Sequence, residues 1–222
     1  MPTLTMRSLL FITGHSTDAD RIARHLRFWH ANADYFRLSM SDYAAGFHVE
    51  HGHIIGPSGH SGPKAIQRMK AVFRKAHADA LALRCDTVVV GEPDTVIFRP
   101  IPEPEKDTLH APLHVNTEPH RFRAPFYAHP VLRMTTATLG HICDVLADFP
   151  DTAEDGFGDR LIPLLCDAAG IAVNNDPLTY SRNALDTPEY IAGAQECLRN
   201  GGWGIHGIKT GEQLNACLEA AP

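Results

Sequence analysis

The sequence predicts an α/β fold in which helices flank a mostly parallel sheet, and three neighbouring segments carry that prediction. Ser8–Thr13 is a continuous apolar run, as in strands that are buried on both faces. Ile22, Leu26 and Trp29 follow at helical spacing, and Tyr35–Met40 is a second strand-like run. Strand, helix and strand within about 35 residues indicate a βαβ unit, whose two strands are parallel.

Length and composition predict one domain that spans residues 1–222. A chain of 222 residues can bury a full core, and its 44% hydrophobic and 21% charged residues are ordinary for a globular protein. No apolar run approaches the roughly 20 residues of a membrane helix. The apolar part of the N-terminus is short for a signal peptide. We therefore expect a cytoplasmic protein without membrane insertion.

Charge is unevenly distributed along the chain. The net charge of −6 argues against a protein that coats nucleic acid. Residues 1–100 contain 12 Lys and Arg against 9 Asp and Glu, whereas residues 101–222 contain 8 against 17. The basic half could receive a small anion such as a diphosphate, although two differently solvated surfaces would give the same pattern.

The five cysteines are widely spaced and form no CxxC pair. This usage predicts small buried residues in a reducing compartment, and neither a disulfide framework nor a zinc knuckle.

The rest of the chain alternates predicted helices and strands. Apolar spacing and capping residues predict helices from Pro63, at 135–148, 156–169 and 188–199, and from Thr210. Thr187 is the expected N-cap of the helix at 188–199, and Thr210 and Gln213 have the spacing of a capping box. Buried strands are predicted at Asp86–Gly91 and Thr95–Phe98. We expect 43–62 to be a loop with at most a short strand, and the proline-rich 100–105 to be a stiff loop.

Two acidic residues stand at the carboxyl end of a predicted buried strand. Glu92 and Asp94 follow Val88–Gly91, where ligands bind in open α/β sheets. Such a pair can hold a divalent cation, which in turn neutralises a diphosphate. The alternative is a polar turn between two strands.

A second segment near the C-terminus complements the first. His206 lies between two glycines, which let a backbone come close to a ligand, and Lys209 follows three residues later. Alone this pattern is compatible with a structural loop. Together with the acidic pair it predicts a third metal ligand and a lysine that meets phosphate.

In their order and content these segments resemble GT-A-fold glycosyltransferases, a Rossmann-like class with a D-x-D motif after an apolar strand. The resemblance implies that Asp94 binds Mn²⁺ or Mg²⁺ and Glu92 the metal or the ribose. It further implies that His206 completes the metal site and Lys209 contacts the diphosphate. The donor would be a nucleoside-diphosphate sugar, with UDP-sugar favoured, bound by about residues 1–99.

The same resemblance assigns further donor contacts. Thr13, Gly14 and His15 correspond to the region that receives the base and ribose. The segment leading into the basic helix corresponds to a second nucleotide contact, in which Lys64 and Arg68 are one turn apart.

The acceptor side, about residues 110–222, would supply a catalytic base. The resemblance implies such a base at the start of a helix, as in the inverting members, with Asp159 as the first choice and Asp155 as the second; a carboxylate can take the acceptor proton. Acids that merely favour a helix N-terminus are the alternative. The chain is short for such an enzyme, which implies a reduced acceptor platform or a homodimer. Stereochemistry and acceptor (glycan, lipid, protein, small molecule or modified nucleic-acid base) stay open.

Two rival functions remain. His48, His51, His53 and His60 have a spacing that a zinc-dependent hydrolase could use, although no HExxH is present. A mobile loop over the donor site is the other interpretation of that cluster. By the resemblance, Glu92-Pro93-Asp94 would be a variant D-x-D with Glu in the first position, and this departure is also compatible with a non-catalytic nucleotide-sugar-binding relative. P-loop and GxSxG signatures are absent.

Overall fold

The computed structural model describes residues 6–42, 47–50, 53–57, 62–115, 126–128, 130–150, 158–182 and 187–221. Within these ranges, side chains are left undescribed at 16, 41–42, 47–50, 53–57, 62–65, 115, 126–127 and 158–160. Among the helices so described, none is long and apolar enough to cross a membrane.

Thirteen strands of the described ranges form three sheets. The strands are β1 (Ser8–His15), β2 (Tyr35–Asp42), β3 (Phe47–Glu50), β4 (His53–Pro57), β5 (Thr87–Gly91), β6 (Thr95–Ile97), β7 (Thr108–Ala111), β8 (Leu113–Val115), β9 (Phe126–Ala128), β10 (Leu132–Thr135), β11 (Ala172–Asn175), β12 (Thr179–Tyr180) and β13 (Gly204–His206). The helices are α1 (Ala19–Asn32), α2 (Gly62–Leu83), α3 (Thr136–Asp148), α4 (Gly158–Ala168), α5 (Pro188–Arg199) and α6 (Gly211–Leu218).

The main sheet is mixed, with a parallel centre. Its strand order is β11-β7-β10-β5-β1-β2-β3-β4. β1 pairs in parallel with both β2 and β5, which confirms the parallel βαβ start expected from sequence. β10 lies antiparallel between β5 and β7, and the β3–β4 hairpin adds antiparallel strands at the other side. The sheet is therefore parallel at its centre, and both flanks include antiparallel strands.

The two faces of the central strands bury different partners, because successive side chains of a strand point to opposite sides. Leu9 and Phe11 of β1 belong to the core that α2, α3 and α4 cover. Leu10 and Ile12 belong to a second core that includes Trp29 of α1 and Trp203 before β13. Every residue of β5 is buried, as the continuous apolar run predicted.

A small second sheet lies on the α1 side of the molecule. Its order is β12-β13-β6, with β13 antiparallel to β6. Helices α5 and α6 close it with their own apolar cluster, which contains Tyr190 and Leu214. The predicted caps are confirmed: Thr187 accepts a hydrogen bond from the Tyr190 amide, and Thr210 forms a capping box with Gln213.

The five cysteines are buried and free, as their spacing predicted. The 43–62 stretch departs from the expected loop, because its described residues form the β3–β4 hairpin. Residues 100–105 contain no helix or strand, in agreement with their proline content.

Candidate metal centre

Glu92, Asp94 and His206 form a cluster of three side chains that could hold a metal ion. One ligand atom from each residue lies within 4.8 Å of the other two. Asp94 is 6% exposed and His206 is 7% exposed, whereas Glu92 is partly exposed. The structure thus brings together the acidic pair and the C-terminal histidine that the sequence singled out.

The two acidic residues belong to a tight turn that joins the two sheets. This acidic turn (Glu92–Thr95) follows β5 of the main sheet and leads into β6 of the small one. The Thr95 amide donates to the Glu92 carbonyl at 2.9 Å and closes the turn. Because β5 ends beside β1, the turn lies at the carboxyl edge of the parallel strands, where open α/β sheets bind ligands.

Strand pairing brings His206 to the turn. In the antiparallel register of β13 and β6, His206 lies opposite Thr95, directly after Asp94. The chain then folds back over the turn: the amides of Gly207 and Ile208 donate to the Asp94 carbonyl at 3.1 and 3.0 Å. Gly207 has a φ of 99°, which glycine adopts without strain. The positive φ at this position explains why glycine follows the histidine, whereas a close approach of this backbone to a ligand stays a prediction.

The electrostatic surroundings keep Asp94 ionised. Burial by itself would raise the pKa of Asp94, but the charge and hydrogen bonding of His206 outweigh it. With smaller contributions from Arg21 and Lys209, the pKa falls to about 2. His206 Nδ1 lies 3.2 Å from Asp94 Oδ1 and 3.3 Å from Thr95 Oγ1.

These residues fit a divalent cation. Asp94 Oδ1 is buried and lies 3.2 Å from His206 Nδ1, so a ligand atom of the acid and one of the imidazole face each other at the cluster. Two carboxylates and one imidazole are ligands that Mn²⁺ accepts, and carboxylates also suit Mg²⁺. Three protein ligands would leave coordination positions for substrate oxygens.

The end of β1 lies beside the acidic turn. Thr13 Oγ1 accepts a hydrogen bond from Arg68 Nη2 at 3.2 Å and lies 3.5 Å from the Gly91 carbonyl. Gly14 packs against Pro93 so closely that an added Cβ would lie 2.7 Å from Pro93 Cγ. Three residues assigned to donor binding, Thr13, Gly14 and Arg68, thus surround the same edge as the metal cluster.

His15 and Lys209 are held by local caps. The His15 ring accepts a hydrogen bond from the Thr17 amide at 3.1 Å, at the start of a 3-10 turn (Ser16–Asp18). Lys209 is exposed, and its amide donates to Gln213 Oε1 at 2.7 Å. Its carbonyl accepts from Arg24 of α1 at 2.9 Å, which ties the C-terminal segment to α1.

Several predicted site residues fall outside the described residues, and their roles stay predictions. Asp155, His51 and His60 lie in undescribed segments. The backbones of Lys64, Asp159, His48 and His53 are described, in α2, α4, β3 and β4 respectively, but their side chains are not.

Three side chains that hydrogen-bond to backbone at the site were not predicted from sequence. They are His25, Trp29 and Tyr190, of which only Trp29 was noted, as an apolar residue of the first helix. His25 and Trp29 donate to carbonyls of the acidic turn, and the Tyr190 hydroxyl donates to the His206 carbonyl at 2.8 Å. One signal was available: His25 stands on the apolar stripe of Ile22, Leu26 and Trp29. A histidine on a buried helix face needs a polar partner.

No protein-family model matches the chain, and no curated protein matches it in sequence.

Proposed function

We propose that this protein is a glycosyltransferase that moves a sugar from a nucleoside-diphosphate sugar to an acceptor hydroxyl with the help of a divalent metal. The observation that carries the proposal is the cluster of Glu92, Asp94 and His206, whose ligand atoms lie within 4.8 Å of one another. It occupies the carboxyl edge of parallel strands, where a nucleotide is expected to bind.

Positive charge around the cluster supports an anionic donor. Arg21 and Lys209 lie close enough to lower the pKa of Asp94, and Arg68 reaches Thr13 at the end of β1. Mn²⁺ or Mg²⁺ at the cluster would neutralise charge on the departing diphosphate. We expect Lys209, an exposed cation, to contact the same phosphates.

The layout of the chain also supports the GT-A-like interpretation. A parallel β2-β1-β5 unit precedes the acidic turn, and the C-terminal histidine returns to that turn through a second sheet. Both features support the resemblance, which implies a nucleotide-binding βαβ half, a variant D-x-D after an apolar strand, and a late metal-binding histidine.

The proposed reaction exchanges one bond at the anomeric carbon. The acceptor oxygen bonds to that carbon while the bond from the carbon to the diphosphate oxygen breaks, and the nucleoside diphosphate leaves. The acceptor proton passes to a carboxylate, for which Asp159 is the first choice and Asp155 the second. UDP-sugar is the preferred donor, and the acceptor platform belongs to about residues 110–222.

A thermal-shift panel tests the proposal. Wild type and Asp94→Asn are heated with UDP-, GDP-, ADP-, CMP- and dTDP-sugars, each with and without Mn²⁺. A ligand at about 100 times its Kd adds roughly 2.7 kcal/mol, which shifts Tm by a few degrees. We expect a Mn²⁺-dependent shift with one nucleotide class in wild type and its loss in Asp94→Asn.

Asp144→Asn is the matched control, because Asp144 is an exposed carboxylate on α3. This variant should keep the wild-type shift. If no nucleotide shifts wild type while Zn²⁺ alone stabilises it, the transferase proposal is wrong. The histidines at 48, 51 and 53 then become the site to study.

A further inference from the structure

The acidic turn is held by donors that come from outside it. The Pro93 carbonyl accepts from His25 Nδ1 at 2.8 Å, and the Thr95 carbonyl accepts from Trp29 Nε1 at 2.9 Å. The Asp94 carbonyl between them accepts from the two amides that follow His206. Three successive carbonyls are therefore held in place, two of them by side chains of α1.

His25 and Trp29 reach the turn from one face of one helix. Residues four apart on an α-helix are neighbours on its surface. Both side chains are fully buried, and their rings meet edge to face with centroids 6.3 Å apart. A rigid helix thus presents two donors at fixed spacing to two alternate carbonyls of the turn.

The state of the His25 ring follows from its partner. A carbonyl only accepts, so Nδ1 carries the hydrogen, and Nε2 is buried without a hydrogen-bond partner among the described residues. Burial lowers the pKa of His25 and thus favours the neutral ring. An unsatisfied buried nitrogen costs stability, so an apolar side chain would suit this position better if packing were its only role.

The Pro93 carbonyl controls the direction of Asp94. The peptide unit is planar, so turning this carbonyl turns the Asp94 amide and the start of the Asp94 side chain with it. The proline ring fixes its own φ and packs against Gly14 on its other side. The Pro93–Asp94 peptide can then still rotate, and a hydrogen bond donated to the Pro93 carbonyl restrains that rotation.

We propose that His25 is a positioning residue for the metal centre: its bond to the Pro93 carbonyl holds Glu92 and Asp94 in register with His206. The proposal rests on the metal-dependent function above. It extends the site to a residue of α1 that contacts neither metal nor substrate. Outer partners of this kind typically change metal affinity by about 10–100-fold when removed.

The test measures Mn²⁺ alone, without nucleotide, by the electron paramagnetic resonance signal of free Mn²⁺ in titrations. Wild type, His25→Leu, His25→Gln and His25→Asn are compared, with His30→Asn as the control. His30 is an exposed histidine of the same helix. We expect Leu and Gln to raise the Kd about tenfold or more. Asn places an amide donor near the position of Nδ1 and should keep the Kd within about threefold of wild type, as should His30→Asn.

Circular dichroism tests whether each variant is folded. If His25→Leu is not folded, the difference in Kd between His25→Gln and His25→Asn decides. Equal Kd values in wild type, Leu and Gln variants would overturn the positioning role and leave the metal site intact. Equal losses in Gln and Asn variants would assign the effect to ring packing and would also overturn it. Absence of Mn²⁺ binding in wild type would overturn this inference together with the metal-dependent function.

Discussion

At the residue scale, two buried titratable groups at the site respond to pH in different ranges. The pKa of Asp94, at about 2, lies below its unfolded value, so this carboxylate stays ionised throughout the neutral range. Its contribution to stability is lost as pH falls from its ordinary pKa of 3.8 through about 2. Burial lowers the pKa of His25, helped by Arg24 and Arg21 and opposed by Pro93 and Asp94.

The His25 shift predicts that stability falls on mild acidification. The unfolded chain takes up a proton on His25 near pH 6.5, before the folded chain does, so the free energy of unfolding decreases below that pH. We expect wild type to lose up to about 1.4 kcal/mol per pH unit more than His25→Asn between pH 6.5 and the folded-state pKa. Urea unfolding in EDTA from pH 7.5 to 5.5 measures the difference. Parallel pH profiles would contradict the prediction.

At the element scale, the end of β1 and the acidic turn fit together without spare room. Gly14 has no side chain, and Pro93 occupies the space that a Cβ would need. The two segments come from the ends of adjacent parallel strands, so their contact sets the distance between the donor-binding edge and the metal cluster.

Gly14→Ala should therefore destabilise the fold and weaken Mn²⁺ binding. The new Cβ would lie 2.7 Å from a rigid proline ring and 3.3 Å from Met40 Sδ, so backbone has to shift. We expect a loss of about 1–3 kcal/mol in urea unfolding, as overpacking usually gives. Gly211→Ala is the control, because an added Cβ there would meet no heavy atom of the described residues within 4 Å, apart from its chain neighbours and its own helix backbone. At the start of α6 it should be neutral or slightly stabilising. Equal stability of the two variants would refute the argument.

At the scale of the whole molecule, a buried ion pair connects segments that are distant in sequence. Arg133 of β10 contacts Asp176 Oδ2 through Nε at 3.1 Å and Nη2 at 2.8 Å. Its Nη1 donates to the carbonyls of Pro102 and Glu103. The guanidinium also lies 5.6 Å from the Trp203 ring centroid, just before β13. One side chain thus joins the main sheet, the proline-rich loop and the entry to the small sheet.

Removing Arg133 should be costly because it leaves a carboxylate buried and unpaired. Asp176 is 1% exposed. We expect Arg133→Met to lose about 3–5 kcal/mol in urea unfolding, and Arg133→Met with Asp176→Leu to recover part of it. Lys75→Met is the control, since the Lys75–Asp79 pair is partly exposed and should contribute less than about 1 kcal/mol. A loss in Arg133→Met as small as in the control would show that the pair is not needed.

Local sequence patterns were sufficient to predict strands and helix caps where neighbouring residues show the burial or the capping. The continuous apolar runs of β1 and β5 and the caps at Thr187 and Thr210 needed no tertiary information. The short strands between 108 and 135 and at 172–180 were not predicted. They have two to four residues, and β11 is largely exposed, so no hydrophobic period marks it.

The sequence by itself determined the parallel centre of the sheet, the helices with their caps, and the two segments whose side chains suit a metal. Only the tertiary structure decided that these segments meet, since Thr95 and His206 are separated by 111 positions and come together through one antiparallel register. It also decided the role of His25. A histidine on a helical stripe does not name its partner, because hydrogen bonding to the Pro93 carbonyl depends on how α1 packs against the acidic turn.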